Sequence, residues 1–108
     1  MTIVSDTQNV FRQAYDVAYD TANNTQAIFG CGFASVYIKA TGDMAKYLKA
    51  HGWYKVTGQR STYRKLVPHT SQSLNIQITW AEAFVFHLKR ISTAAIGFHK
   101  AWYDYRLD

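Results

Sequence analysis

The stretch from Cys31 to Lys39 constrains the fold most, because it carries the clearest strand pattern in the chain. A small or branched apolar residue alternates there with a larger or polar one: Ala34, Val36 and Ile38 against Phe33, Ser35, Tyr37 and Lys39. A period of two places the two sets on opposite faces of a sheet. We therefore predict a central strand over 31–39, with one face on a helical core and the other carrying two aromatic rings and a cation.

Capping and breaking residues bound the other elements. Ser5 or Asp6 can cap a first helix, Thr41 can cap a second helix that Gly52 ends, and Pro68 stops a strand. The predicted helices cover residues 6–27, 41–51 and 71–91, and the further predicted strands cover 53–57, 62–67 and 93–105.

This order predicts an α+β fold of the ferredoxin-like (split βαβ) type, βαββαβ, preceded by an extra N-terminal helix. The length indicates a single domain, residues 1–108. In that topology strands 31–39 and 62–67 are central neighbours in a four-stranded antiparallel sheet. The sheet face away from the helices is then available.

The last predicted helix is apolar on more than one face. One stripe is formed by Leu74, Ile78, Ala81, Val85 and Leu88, and a second by Trp80, Phe84 and Ile91. A helix of this kind is either enclosed by its own chain or shared with a partner. Self-association into a homo-oligomer is therefore a further prediction.

Charge is distributed unevenly along the chain. The net charge is +5, and the span from Met44 to Ala81 has no Asp or Glu. The same span contains six cations: Lys46, Lys49, Lys55, Arg60, Arg64 and Lys65. Such a window is typical either of a solvated cationic surface or of a site for an anionic partner such as nucleic acid.

The outer face of the two central strands is the candidate binding site. Tyr37 and Lys39 lie on the first strand, and Tyr63 with Lys65, or Arg64 in the alternate register, lie on the second. Aromatic rings stack on unpaired bases while cations hold phosphates. The full predicted set is Tyr37, Lys39, Lys55, Arg60, Tyr63, Arg64 and Lys65. The alternative is that both tyrosines pack on each other or beneath the first helix.

Catalytic patterns are weak in this sequence. Cys31 has no histidine at a spacing that pairs with it, and a lone cysteine in an apolar strand is typical of a small core residue. The four histidines lack zinc-site spacing, and no glycine-rich phosphate loop occurs. We therefore predict a non-enzymatic protein without a cofactor, and a cysteine-dependent enzyme is the third-ranked hypothesis.

With one cysteine and no long apolar run, we expect a cytoplasmic protein without membrane contact.

Several short motifs resemble a group of small tailed-phage proteins. They are the Cys31-Gly32-Phe33-Ala34 strand start, Gln72-Ser73 before a helix that carries alanine and phenylalanine, and the Arg106-Leu107-Asp108 end. Ser35 and the basic 53–68 hairpin depart from that group. The resemblance implies a phage accessory protein that modulates the host or its defences in the bacterial cytoplasm, and it assigns no residue roles.

The leading functional hypothesis is that this basic and aromatic surface binds an anionic ligand, either a nucleic acid or a small nucleotide. The alternative is a protein-interaction module that inhibits a host protein through the same aromatic surface.

Overall fold

The computed structural model describes residues 3–28 and 30–107, with side chains of the first helix described from Asp6 onward. In this part of the chain, three α-helices pack on an open, four-stranded antiparallel sheet. The helices are α1 (Ile3–Asn23), α2 (Gly42–Ala50) and α3 (Leu74–Ile91), and the strands are β1 (Gly32–Ala40), β2 (Tyr54–Lys55), β3 (Thr62–Leu66) and β4 (Phe98–Leu107). A single 3₁₀ turn, Ala94–Ile96, precedes β4. The predicted α+β class is confirmed.

The strand order across the sheet is β2-β3-β1-β4, and every neighbouring pair is antiparallel. The prediction that β1 and β3 are central neighbours is confirmed, with Tyr37 opposite Arg64. On its other side β1 pairs with β4, where Tyr37 lies opposite Trp102. Tyr37 therefore lies between Arg64 of β3 and Trp102 of β4 in a row of directly opposed residues.

Alternation along β1 sorts its side chains as the sequence predicts. Ala34, Val36 and Ile38 are fully buried in the main core, whereas Phe33 and Lys39 are exposed on the opposite side. Burial of the branched apolar set against the helices contributes roughly 25 cal/mol per Å² of apolar surface removed from water. The free energy gained by this burial determines which face of β1 packs against the helices.

Helix α1 packs on α3 and α2, not over the outer side of the sheet. Its buried stripe comprises Phe11, Ala14, Ala18 and Ala22, and the Phe11 ring stacks on Tyr47 of α2 at 4.2 Å. The predicted cap at Ser5 or Asp6 and the predicted end at residue 27 are wrong, because the helix runs from Ile3 to Asn23. Since α1 joins the helical layer, the outer sheet face remains uncovered by it.

Helix α3 is apolar on two sides because it lies between α1 and the sheet. Trp80 and Phe84 are fully buried and stack on each other at 5.0 Å, while Tyr15 of α1 contacts both rings. Enclosure within the chain therefore accounts for the second apolar stripe. That stripe no longer supports self-association.

The predicted bounds of α3 and β4 need correction. Residues 71–73 are not helical, and α3 begins only at Leu74. The buried Gln77 amide donates to the Ser71 carbonyl and accepts from the Ala34 amide. This amide holds the segment before α3 against β1. Strand β4 starts at Phe98 rather than residue 93, after the 3₁₀ turn and Gly97, whose φ is +90°.

Candidate functional site

The side of the sheet away from the helices, here called the open face, collects alternate residues from all four strands. Directly opposed residues in antiparallel strands project from the same face, so the register gives its membership. The open face comprises Tyr54 of β2; Thr62, Arg64 and Leu66 of β3; Phe33, Ser35, Tyr37 and Lys39 of β1; and Lys100, Trp102, Asp104 and Arg106 of β4.

Two aromatic rings form the centre of the open face. Tyr37 and Trp102 are cross-strand neighbours whose ring centroids are 5.3 Å apart with planes only 3° from parallel. The Lys100 ammonium lies 5.2 Å from the Trp102 ring centroid, within cation–π range. Both rings are half-buried, so part of each aromatic surface remains accessible to a ligand.

A hydroxyl beside this pair positions a guanidinium. Ser35 is 2% exposed, and its Oγ accepts from Arg64 Nη2 at 2.9 Å and from Nε at 3.2 Å. The two bonds orient the guanidinium plane across the centre of the sheet. A guanidinium fixed in this way retains further N–H donors, which suit the oxygen atoms of a phosphate or carboxylate.

The Tyr37 hydroxyl donates a hydrogen bond to Asp104 Oδ2 at 2.9 Å. Partial burial raises the pKa of Tyr37, and the hydrogen bond to the Asp104 carboxylate raises it further, although the nearby Arg64 lowers it. The phenol is therefore neutral near neutral pH and holds the ring in place against Trp102.

A cavity of about 360 Å³ opens onto this face beside the aromatic pair. Its walls include Phe33, Ser35, Tyr37, Arg64, Asp104 and Arg106. The volume is at the small end of the range for small-molecule sites, roughly 300–1,000 Å³. It is large enough for one planar ring system with a polar substituent.

Charge on the open face is predominantly positive. Four cations, Lys39, Arg64, Lys100 and Arg106, share the face with one carboxylate, that of Asp104. A cationic sheet with accessible rings can attract a polyanion and stack its bases.

The predicted site residues do not all come together. Tyr37, Lys39 and Arg64 lie on the open face, whereas Tyr63 is 4% exposed in the core opposite Ile38. The pairing of Tyr63 with Tyr37 is therefore wrong, because successive residues of β3 project to opposite faces. Of the two registers considered, the one with Arg64 beside Tyr37 is confirmed.

The remaining predicted cations lie elsewhere. Lys65 follows Tyr63 to the helix side, where its Nζ donates to the His51 carbonyl at 3.2 Å. Lys55 pairs with Tyr63 in the ladder, so it also projects to the helix side. Arg60 is exposed in the turn between β2 and β3 and lines a separate depression with Lys55. These three cations are not part of the cluster around Tyr37.

Sequence reasoning missed the contribution of β4. Trp102, Lys100 and Arg106 all belong to the open face; their period-two spacing shows that they share a face but does not show which face it is. Asp104 lies on the same face, opposite Ser35, and adds the only carboxylate among the described residues of the open face.

Cys31 is exposed rather than part of the core, in a bridge opposite Ser73. Three of the four histidines bond to other groups: His51 to the Tyr47 carbonyl, His69 to Asn23 and His99 to Thr41. Within residues 3–28 and 30–107, no cluster of three or more His, Cys, Asp or Glu side chains could hold a metal ion. No helix in the same part of the chain is long and apolar enough to cross a bilayer.

No protein-family model matches the chain, and no curated protein or solved structure has significant similarity to it.

Proposed function

We propose that this protein is a non-enzymatic binding protein that holds single-stranded nucleic acid across the open face of its sheet. The observation that carries the proposal is the stacked Tyr37–Trp102 pair, flanked by four cations on the same face. Every nucleobase has a π-face, so stacking on such rings tolerates any sequence. The cations then neutralise the phosphates between stacked bases.

The geometry favours an unpaired strand over a duplex. A sheet face is broad and shallow, so bases must be splayed out of a helix before they reach the Tyr37 and Trp102 rings. The adjoining cavity, beside Arg64 and Asp104, accommodates one base or a small nucleotide. Mononucleotides are thus minimal ligands of the same site, with lower affinity because they present fewer phosphates.

We also propose that the fold is of the ferredoxin-like type, with α1 as an addition. The elements from β1 to β4 follow the order β-α-β-β-α-β, and the sheet read from its other edge is β4-β1-β3-β2. Single-stranded RNA is commonly read on a four-stranded sheet whose central strands carry aromatic rings. The resemblance to tailed-phage proteins supports the proposal of a host-modulating accessory protein that acts in the bacterial cytoplasm.

A protein-interaction module is the second candidate, and exposed apolar side chains on the open face favour it. Phe33 is 39% exposed, Leu66 50% and Tyr54 72%. Exposed rings next to a fixed arginine are typical of interface hot spots. In this case the binding partner would be an acidic host protein.

Fluorescence titration with single-stranded and duplex oligonucleotides and with mononucleotides tests the leading proposal. Trp53 and Trp80 are buried, so Trp102 is the ring that a bound base quenches. If all four cations meet phosphates, affinity for a single strand falls roughly 50-fold between about 50 and 200 mM salt.

Three outcomes distinguish the candidates. Salt-dependent quenching by single strands, lost in Trp102→Phe, supports nucleic-acid binding. Absence of binding to any DNA, RNA or nucleotide at low salt overturns it. A nuclease-resistant complex with one acidic protein from a bacterial lysate would then support the second candidate.

A further inference from the structure

The cavity on the open face is lined by two opposite charges that do not pair with each other. Asp104 lies directly opposite Ser35 in the ladder, and the Arg64 guanidinium bonds to the Ser35 hydroxyl, so both charges lie beside the same residue of β1. The hydrogen bond that Asp104 accepts comes from the neutral Tyr37 hydroxyl. Among the described residues, no ion pair joins the carboxylate to the guanidinium. A ligand in this cavity therefore meets acceptors on one side and donors on the other.

The walls of the cavity leave room for a flat ring above Ser35. Ser35 is small and 2% exposed, whereas Phe33 and Tyr37, two positions to either side of it on β1, carry rings. Val56 and Gln59, from the end of β2 and the turn that follows, complete the wall beside β3. Apolar walls with a few convergent polar groups suit a heteroaromatic base, whose edges form hydrogen bonds.

Both charged groups have hydrogen-bonding capacity left. A carboxylate accepts through two oxygens with about four lone-pair sites, and the Tyr37 hydroxyl uses one of those on Asp104 Oδ2. Each oxygen of Asp104 can therefore accept a further bond. A guanidinium has five N–H groups, of which Arg64 uses two on Ser35, so three remain for a ligand.

We propose that this cavity selects a guanine base, with Asp104 accepting from N1–H and the N2 amino group while Arg64 donates to O6 and N7. Guanine has two adjacent donors on its Watson–Crick edge, so both Asp104 oxygens are used. O6 and N7 are the acceptor pair to which arginine most often donates. In adenine, cytosine, thymine and uracil an acceptor adjoins the donor, and that acceptor would face a carboxylate oxygen.

This selectivity rests on the proposed single-strand binding and adds one selective position to it. Bases on either side still stack without preference, because every base has a π-face. A phosphate suits the cavity less well than a base does, since the Asp104 carboxylate repels it.

Strands that differ at one base test the selectivity. Short thymine strands with a single central guanine, hypoxanthine, adenine or cytosine are titrated at low salt, and affinity is taken from the midpoint of Trp102 quenching. The guanine strand is expected to bind between roughly 5-fold and 150-fold more tightly than the all-thymine strand. Hypoxanthine, which is guanine without the N2 amino group, should give an intermediate affinity.

Asp104→Asn identifies the carboxylate as the reading group. The variant keeps an oxygen that can accept from Tyr37, but it faces guanine with an acceptor and a donor instead of two acceptors. We expect the guanine preference to disappear and the affinity for the all-thymine strand to rise, because the open face loses a negative charge. Asp16→Asn, at an exposed position on α1, removes the same charge elsewhere and should leave the preference unchanged.

A 7-deazaguanine strand tests the role of Arg64, since its C–H at position 7 cannot accept a hydrogen bond. It should bind more weakly than the guanine strand to the wild type, whereas Arg64→Gln should bind the two alike.

The outcomes separate this selectivity from the activity on which it rests. Equal wild-type affinity for all strands, or a guanine preference that persists in Asp104→Asn, overturns the selectivity and leaves the proposed single-strand binding in place. Failure of the wild type to bind any strand at low salt overturns both.

Discussion

Arg64 and Lys65 are consecutive cations of β3 that lie on opposite faces of the sheet. The Arg64 guanidinium donates to Ser35 Oγ on the open face, whereas Lys65 Nζ donates to the His51 carbonyl on the helix side. The alternation of a strand separates them although they adjoin in the sequence. This pair therefore provides an internal comparison for any ligand of the open face.

Arg64→Gln is expected to weaken single-strand binding roughly tenfold or more, since a hydrogen bond to a charged group contributes about 1.5–3 kcal/mol. It should also lower the slope of log affinity against log salt by about 0.7. Lys65→Gln removes the same charge from the other face and is expected to change affinity little. Oligonucleotide titrations at several salt concentrations measure both quantities. Equal losses in the two variants would indicate a diffuse charge effect and contradict the site.

Tyr37→Ala removes one ring of the stacked pair. Base stacking on an aromatic residue contributes about 1–3 kcal/mol, so we expect affinity to fall by between roughly 5-fold and 150-fold. Tyr37→Phe keeps the ring and removes only the hydroxyl, which donates to Asp104, so most of the affinity should remain. Phe86→Ala is the matched control, because Phe86 is 64% exposed but lies on α3. A loss in Phe86→Ala as large as in Tyr37→Ala would exclude specific stacking.

The face of β1 could be predicted because its pattern is unambiguous. Ala34, Val36 and Ile38 alternate with residues that are larger or polar, so a shift of one residue would bury Lys39. The run Thr62-Tyr63-Arg64-Lys65-Leu66 has no such alternation, and both Tyr63 and Arg64 suit an exposed position. Packing of Tyr63 against the helices, together with the hydrogen bonds from Arg64 to Ser35, favours the observed register of β3.

The role of β4 was hidden by its bulge. The sequence suggests that Phe98 and Trp102 share a face, as a regular strand would place them. The register shifts at Ala40, so Phe98 packs against the core while Trp102 joins the open face. A bulge inserts one residue and exchanges the faces on its two sides. Nothing in the period of the sequence marks that position, although Gly97 just before it is a local signal.

Alkaline pH is expected to destabilise the fold through its tyrosines. Burial raises the pKa of Tyr15 above its ordinary value of about 10. A raised pKa in the folded state means that the stabilisation is fully present below about pH 10 and is lost as the pH rises further. Tyr15→Phe keeps the contacts with Trp80 and Phe84 and removes the ionisable group.

The free energy of unfolding in urea, measured from neutral to strongly alkaline pH, tests this expectation. Its decline above about pH 10 should be shallower in Tyr15→Phe than in the wild type. Tyr54→Phe, at a ring that is 72% exposed, serves as control and should leave the profile unchanged. Identical profiles for Tyr15→Phe and the wild type would show that this phenol does not govern alkaline unfolding.

The turn before β4 depends on Gly97. Its φ of +90° is unfavourable for any residue with a Cβ, and a Cβ added there would lie 1.7 Å from the Thr41 carbonyl oxygen. The Gly97 carbonyl also accepts from the Thr41 amide at 2.9 Å, so the two segments cannot separate without losing that bond. Gly97→Ala is therefore expected to destabilise the protein by more than about 3 kcal/mol.

Gly58→Ala separates the two contributions to this effect. Gly58 has a similar φ of +80° but open space around the position of a Cβ. Only the backbone preference is then lost, which costs about 1–2 kcal/mol. Urea denaturation of both variants measures the difference. Gly97 leads directly into the bulge that orients Trp102, so the packing of this turn determines the placement of β4. If the Gly97→Ala protein were as stable as the Gly58→Ala protein, both would be contradicted.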